Sequence, residues 1–236
     1  MISLFKRDFN EASKGKNPVD VFDDFLTVTM AVFTKKPNTG LLYYAEEFEK
    51  IAKEYKERGT FETLMKLPYH FFFYERAGFE GIDLLGEFYM QEIASRSSYR
   101  YFIPYQLCVG MTEEFSSEAT HPACILDTAV ESGRLLLAFA KNAPKVKHRY
   151  YGIEIDPLCA KMAALNMFIH DMPGEVILAD NFEPDNFKTG YRINLCPAGI
   201  FSVPEKEKSQ LWHMYKNVFS KKKVDGSLSQ SRLLFF

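Results

Sequence analysis

From about residue 100 onwards the pattern changes, and short apolar stretches that suit β-strands alternate with longer segments of helical periodicity. The strand candidates are CILDTA, RYYGIEID, EVILAD and YRINLCP, and the helix candidates are SGRLLLAFAKN and PLCAKMAALNMFIHD. Strands that alternate with helices form parallel βαβ units, and this constrains the fold more than any other feature of the chain. We therefore expect an α/β fold with a mainly parallel, doubly wound sheet. Its strand ending at Asp127 should lie between those ending at Glu154 and Asn194.

Residues 18–95 carry a different pattern, in which apolar residues recur at the three- and four-residue spacing of amphipathic helices. In PVDVFDDFLTVTMAVF, for example, Val21, Phe25 and Val28 fall on one face, and Pro18 stands near the start. We expect a bundle of four or five helices that extends to about residue 100. The chain would then divide into a helical region at 1–100 and an α/β domain at 101–236.

The charge balance limits how this chain can bind nucleic acid. It contains 29 Lys and Arg and 31 Asp and Glu, for a net charge of −2, whereas proteins that coat DNA are usually basic. A nucleic-acid role would therefore need a local basic patch or a partner subunit. The four cysteines form no C-x-x-C pair, which favours reduced thiols over disulfides or a metal site. Since no apolar signal core or long apolar run is present, we expect a cytoplasmic protein that does not enter a membrane.

Acidic residues stand at the ends of three of the predicted strands: Asp127, Glu154 and Asp180. The carboxyl ends of parallel strands meet at one edge of a sheet, which is where such folds bind ligands. Glu154 follows Gly133 by 21 residues, about the spacing at which a carboxylate accepts hydrogen bonds from ribose hydroxyls. An acid at a strand end often only caps the next helix, as we expect for Asp156 before Pro157. Three acids after successive strands favour a nucleotide-cofactor cleft.

The loop after the first strand does not identify the cofactor. It reads TAVESG, which supplies neither the G-x-G-x-x-G of dinucleotide sites nor the G-x-x-x-x-G-K-[ST] of a P-loop. Glu131 stands where a loop that approaches a cofactor closely would favour glycine.

Five segments, in their order along the chain, resemble the N6-adenine DNA methyltransferases. They are YFIPYQLCVGM, ILDTAVESGRLLLAF, YYGIEIDPLCAKMAALNMFIHD, VILADNF and INLCP. The resemblance is to the modification subunits of type I restriction systems in particular and covers roughly residues 80–200. It implies an N-terminal helical region followed by a Rossmann-like class I methyltransferase domain, with S-adenosyl-L-methionine as the cofactor. It also implies DNA as a partner, together with a specificity or other partner subunit.

The resemblance assigns roles to individual residues. Glu154 would hold the cofactor ribose, and Asp180 would face the exocyclic amine of the adenine ring. In the family's catalytic N-P-P-F motif only Asn194 matches cleanly, and it is followed by Leu195, Cys196 and Pro197. Asn194 and Pro197 are the expected catalytic residues, and the asparagine would accept hydrogen bonds from the target amine. The remaining cofactor-binding matches lie in the family's F-x-T-P motif and in its D-P-A-C-G-S-G loop: Phe102, Pro104, Asp127, Ala129, Ser132 and Gly133.

The departures from the family pattern fall at positions that bind the cofactor or take part in catalysis. Ile103 replaces the threonine of F-x-T-P, and Glu131 replaces the first glycine of G-S-G, which adds bulk and negative charge beside the cofactor's own carboxylate. Leu195 and Cys196 replace residues of the catalytic motif, so the stiffness of a double proline is lost. We expect a divergent adenine-N6 methyltransferase-like protein that is weakly active or inactive. The alternative is a non-catalytic DNA-binding or assembly module that keeps the fold.

The segment after Asn194 adds one expectation about the sheet. Only 42 residues follow Asn194, and VDGSLSQSRLLFF could supply one further strand at most. We therefore expect a methyltransferase sheet without its last strands. Its uncovered edge could be protected by a second copy of the chain, giving a homo-oligomer.

Overall fold

The computed structural model describes residues 2–35, 44–76, 82–94, 101–143, 147–180, 186–195, 199–222 and 233–235. The chain forms two compact units. The first consists of Met1–Glu80 and Leu84–Tyr101, and the second of Gly81–Asp83 and Phe102–Phe236. Within the described residues, no helix is both long enough and apolar enough to cross a membrane.

The described part of the first unit is helical apart from a two-residue strand, Thr34–Lys35. Its α-helices are α1 (Ile2–Ala12), α2 (Pro18–Phe33), α3 (Ala45–Glu57), α4 (Phe61–Arg76) and α5 (Leu84–Phe88), and α5 continues as a π-helical turn (Tyr89–Ala94). The side chain of Asn17 caps α2 by accepting a hydrogen bond from the Val19 amide, and Pro18 occupies the first helical position. Aromatic rings from α1, α2 and α5 pack on one another in the core, notably Phe9, Phe22 and Phe88.

The second unit contains a mixed sheet with helices between its strands. Its described strands are β1 (Cys124–Asp127), β2 (Arg149–Glu154), β3 (Gly174–Leu178), β4 (Thr189–Ile193), β5 (Ile200–Val203) and β6 (Leu233–Phe235). Its α-helices are α6 (Tyr105–Glu118), α7 (Arg134–Asn142), α8 (Pro157–Ile169) and α9 (Gln210–Lys222). These strands lie in the order β5-β4-β3-β2-β1-β6.

The pairing corrects the expected strand order at one position. β1 pairs in parallel with β2 on one side and with β6 on the other, and β2 pairs in parallel with β3. The strand that ends before Asn194, β4, lies beside β3 instead and runs antiparallel to it, as β5 does to β4. The prediction that this strand adjoins β1 is therefore wrong. Only residues 179–188 connect β3 to β4, and a parallel crossover usually needs a dozen residues or more.

The sheet is covered by helices in a way that follows from the two-residue period of its strands. Tyr151 and Ile153 of β2 face α9, where they form a buried cluster with Leu211 and Tyr215. The neighbouring residue Tyr150 must point to the opposite face. There its ring contacts Phe139 of α7. This part of the sheet therefore lies between two apolar layers.

Candidate functional site at the carboxyl edge of the sheet

Asp127 lies at the end of β1 and is buried. Its Oδ1 accepts a hydrogen bond from the Ala129 amide at 3.0 Å. Burial raises the pKa of the Asp127 carboxyl to about 7, against the lowering effect of the Ala129 hydrogen bond, and the negative charges of Glu131 and Glu154 raise it further. In the parallel pairing of β1 with β2, Asp127 lies opposite Gly152, two residues before Glu154. The Cα atom of Glu154 therefore lies roughly 8 Å from that of Asp127, by ordinary strand spacing. The two acids therefore lie close together at the carboxyl edge of the sheet, in the region that we call the acidic cleft.

The loop between β1 and α7 folds over the end of β2. The Val130 amide donates to the Ile153 carbonyl at 3.0 Å. A Cβ atom at Gly152 would meet the Val130 side chain at 2.8 Å, so the absence of a side chain at Gly152 makes this approach possible. Gly133 ends the loop with φ 88°, and its backbone lies against Ala163 of α8. A glycine is favoured there because the conformation is left-handed.

Glu131 adopts a left-handed backbone conformation, which favours glycine. Its φ is 51°, in the left-handed region, which costs a residue with a Cβ atom about 1–2 kcal/mol. Its half-buried carboxylate accepts a hydrogen bond from the Ile103 amide and lies near Arg134. Burial raises the pKa of this carboxyl, although the Ile103 amide and the Arg134 charge act in the opposite direction. The side chain therefore ties the loop to the segment Phe102–Pro104.

Hydrogen bonds from backbone amides hold the Glu154 carboxylate in place. Its Oε1 accepts hydrogen bonds from the amides of Ile155 and Asp156, and its Oε2 accepts one from the amide of Glu131, each at 2.9 Å. A carboxylate offers about four lone-pair positions. Three of them are used by these amides, so about one remains. Both hydroxyls of a ribose could not bind Glu154 as it stands.

A buried polar network underneath the loop fixes its position. Asp83 accepts hydrogen bonds from the Ser132 hydroxyl and from Arg134 Nε, the latter at 2.9 Å. Asn166 of α8 donates to Asp83 at 2.8 Å and to the Ser132 carbonyl at 2.7 Å. Sequence reasoning missed Asp83, Arg134 and Asn166 as determinants of the site. One signal was available, since Asp83 opens the segment DLLGEFYMQEIASR that resembles the family's lead-in to the methyltransferase domain.

The Arg134 side chain contacts the segment Phe102–Pro104 and holds it in place. The Arg134 guanidinium lies 5.2 Å from the centre of the buried Phe102 ring and donates to the Ile103 carbonyl at 2.8 Å. Both backbone groups of Ile103 are thus bonded to side chains of the loop region, the carbonyl to Arg134 and the amide to Glu131. Pro104 is exposed, and its carbonyl accepts the amides of Leu107 and Cys108 at the start of α6.

Asp180 and Ala129 complete the residues that the structure places at this edge. Asp180 follows β3 by two residues and is partly buried. Burial raises the pKa of Tyr215 in α9, and the Asp180 charge raises it further, so the two side chains are neighbours. Ala129 is exposed on the loop. The carboxyl edge therefore brings together the predicted cofactor residues Phe102, Pro104, Asp127, Ala129, Ser132, Gly133, Glu154 and Asp180.

The predicted catalytic residue Asn194 lies elsewhere. Ile193, its neighbour in β4, pairs with Gly174 at the start of β3, so Asn194 is at the amino-terminal edge of the parallel strands. A strand of five residues spans roughly 15 Å, which separates Asn194 from the acidic cleft. Its side-chain amide donates to the carbonyls of Met167 and Phe168 at 3.1 and 2.9 Å, at the end of α8. Cys196 and Pro197 lie outside the described residues.

The geometry can be tested against S-adenosyl-L-methionine, the cofactor that the sequence resemblance implies. The cleft has the expected position, but its residues do not fit the cofactor in two places. Glu154 lacks the acceptor capacity for both ribose hydroxyls. At the loop, Glu131 brings an additional carboxylate near Asp127, and this charge is unfavourable for a cofactor that carries a carboxylate of its own. In the part of the chain that the structure describes, no group of three or more His, Cys, Asp or Glu residues could hold a metal ion.

Comparison with known proteins confirms the resemblance noted in the sequence. The family model for N-6 DNA methylase matches residues 80–202, just over half of the 236 residues. Curated proteins gave no match. One similar solved structure is the methyltransferase subunit of a type I restriction-modification system from Streptococcus thermophilus, with 22% identity and a TM-score of 0.38. That match covers 49% of this chain and 26% of the subunit. The matched family segment contains the whole acidic cleft, and the chain belongs to the N-6 DNA methylase family.

Proposed function

We propose that this protein is a non-catalytic member of its family, which binds S-adenosyl-L-methionine weakly or not at all and keeps the methyltransferase fold as a DNA-binding or assembly module. The position of Asn194 carries the proposal. A catalytic asparagine must reach the amine of a flipped adenine beside the cofactor, at the carboxyl edge of the sheet. The amide of Asn194 instead binds the last carbonyls of α8 at the other edge.

The state of the cofactor cleft supports the same proposal. Three carboxylates, those of Asp127, Glu131 and Glu154, stand close enough for their charges to raise the pKa of Asp127. A Glu131 carboxylate beside the carboxylate of the methionine moiety is unfavourable, because the two groups carry like charges. The contact between Glu131 and the Ile103 amide also supports the proposal, because it holds the Glu131 carboxylate at the loop.

Partners follow from the family and remain part of the proposal. DNA is the substrate class that the family description names, and a specificity or other partner subunit would add basic surface to a chain whose net charge is −2. Self-association through an edge of the sheet would be a second mode of assembly.

Transfer of a labelled methyl group from S-adenosyl-L-methionine to adenine-containing duplex DNA tests the proposal. We expect background incorporation for the native protein and for Glu131→Gly. The Glu131→Gly variant is included because it removes the charge from the loop and leaves Asn194 in place. An active adenine-N6 methyltransferase in the same assay serves as the positive control. Incorporation well above background with the native chain would contradict the proposal and would favour a divergent but active enzyme.

A further inference from the structure

A cavity lies within the first unit, between α1, α4, α5 and the π-helical turn that follows α5. Its volume is about 60 Å³, several times the roughly 10–15 Å³ that one water molecule needs. The apolar part of its wall consists of Phe5, Phe71, Leu84, Leu85 and Phe88. We call this space the phenylalanine cavity.

The wall of the phenylalanine cavity suits an apolar ligand. Apolar atoms form most of its surface, and Phe5, Phe71 and Phe88 are all buried. An ordered water needs about two to four polar partners, which such a wall does not offer. A charged ligand is disfavoured as well, because it would lose its hydration against apolar atoms.

Contacts with other rings hold the aromatic part of the wall in place. The Phe5 ring packs edge to face on Phe88 and on Phe25, with ring centres 4.8 and 5.2 Å apart. Phe25 packs in the same way on Phe71, at 6.2 Å. Rings fixed from behind resist collapse into the cavity, although an unfilled space of this size is destabilising. The cavity is therefore formed before a ligand arrives, and a ligand that fills it gains contacts with the wall.

The π-helical turn borders the cavity where it reaches the surface. Gln91 and Glu92 of this turn line the cavity, and Gln91 is exposed. Lys6 of α1 donates to the Glu92 carboxylate at 2.6 Å, which joins the turn to α1. Short π-helical turns occur frequently at functional sites. A ligand can therefore enter from solvent beside this turn.

We propose that the phenylalanine cavity binds a small uncharged molecule with one aromatic ring, which packs against Phe5, Phe71 and Phe88. Aromatic pairs that meet edge to face gain more than their buried area alone provides, which favours an aromatic over an aliphatic ring. The inference goes beyond the proposed function and does not depend on it, because the cavity lies in the first unit and the acidic cleft in the second.

Ligand-observed NMR titration of the full chain at pH 7 with phenol, cyclohexanol and benzoate tests the inference. Phenol is aromatic and uncharged, cyclohexanol lacks the aromatic ring, and benzoate adds a negative charge. We expect saturable phenol binding with a Kd of about 0.1–1 mM. Cyclohexanol should bind at least about threefold more weakly, and benzoate at least about tenfold more weakly. No saturable binding of phenol, or a phenol affinity equal to that of either comparison compound, would overturn the inference.

Two variants assign the binding to this cavity. Leu84→Phe adds volume to the wall and should weaken phenol binding about tenfold or more without lowering the melting temperature, because the larger side chain fills the space. Leu4→Phe makes the same substitution at an exposed position of α1 and should leave binding unchanged. Undiminished binding by Leu84→Phe, or an equal loss in Leu4→Phe, would count against the inference.

A second variant keeps the inference testable if Leu84→Phe does not fold. Phe71→Leu enlarges the cavity and should raise the affinity for 1-naphthol, a two-ring relative of phenol, at least about tenfold over that of the native protein. An unchanged affinity for 1-naphthol in folded Phe71→Leu would contradict the inference.

Discussion

Asp127→Asn should make the protein more resistant to unfolding at pH 8 and should change its stability much less at pH 5. The substitution keeps the size of the side chain and an oxygen that can accept the Ala129 amide, and it removes only the ionisable group. The prediction follows from the burial of Asp127 and from the two neighbouring acids, which together raise the pKa of its carboxyl from 3.8 to about 7.

The sign and size of the effect follow from the raised pKa. A carboxyl that is harder to ionise in the folded state stabilises the fold fully below its unfolded pKa, near 4. This contribution is lost as the pH rises through 7. One pKa unit corresponds to about 1.4 kcal/mol, so the shift of about three units gives an upper limit of about 4 kcal/mol. Relaxation of the loop and water entry should reduce this to roughly 1–3 kcal/mol.

Urea unfolding at pH 5, 6.5 and 8 measures the effect. The free energy of unfolding of Asp127→Asn minus that of the native protein should grow between pH 5 and pH 8. Asp127→Ala removes the same ionisation but also the acceptor for the Ala129 amide, so its curve should run parallel to that of Asp127→Asn at lower stability. A difference that is constant with pH, or that shrinks as the pH rises, would refute the reasoning.

Three further predictions concern the supports of the cleft. Arg134→Ala leaves the buried Asp83 carboxylate without its cation and should lower the free energy of unfolding by about 3–5 kcal/mol in urea denaturation. Gly152→Ala should cost about 1–3 kcal/mol because its Cβ meets Val130 at 2.8 Å, and the double variant with Val130→Ala should recover part of this in a double-mutant cycle. Burial lowers the pKa of His148, so its contribution to stability is present above pH 6.5 and is lost as the pH falls; His148→Phe should therefore unfold at a lower pH in an acid titration followed by circular dichroism.

The parts of the fold that local periodicity determines could be predicted from the sequence. The strands ending at Asp127 and Glu154 and the helices that follow them lie where their apolar patterns place them. The helix cap at Asp156 was equally predictable from an Asp that precedes a Pro. Its side chain accepts hydrogen bonds from the amides of Leu158 and Cys159.

Features that depend on contacts distant in sequence could not be predicted in this way. The apolar pattern of Thr189–Ile193 identifies a strand but does not specify its partner, and only the short connection from β3 excludes a crossover. The direction of the Glu131 side chain depends on the Ile103 amide, 28 residues earlier in the chain. The network around Asp83 joins residues 49 to 83 positions apart, and no periodicity marks it.

Calorimetric titration of the native protein with S-adenosyl-L-methionine tests the central claim, that the protein's own loop and acids make the cleft unfit for the cofactor. We predict no saturable binding below millimolar ligand. Glu131→Gly should raise the affinity about ten- to a hundredfold, because one like-charge contact is worth roughly one to a few kcal/mol. Asp171→Gly is the matched control, since Asp171 also has a left-handed backbone, with φ 53°, but is exposed beyond the end of α8. Micromolar binding by the native protein, or equal affinities for native protein and Glu131→Gly, would contradict the account.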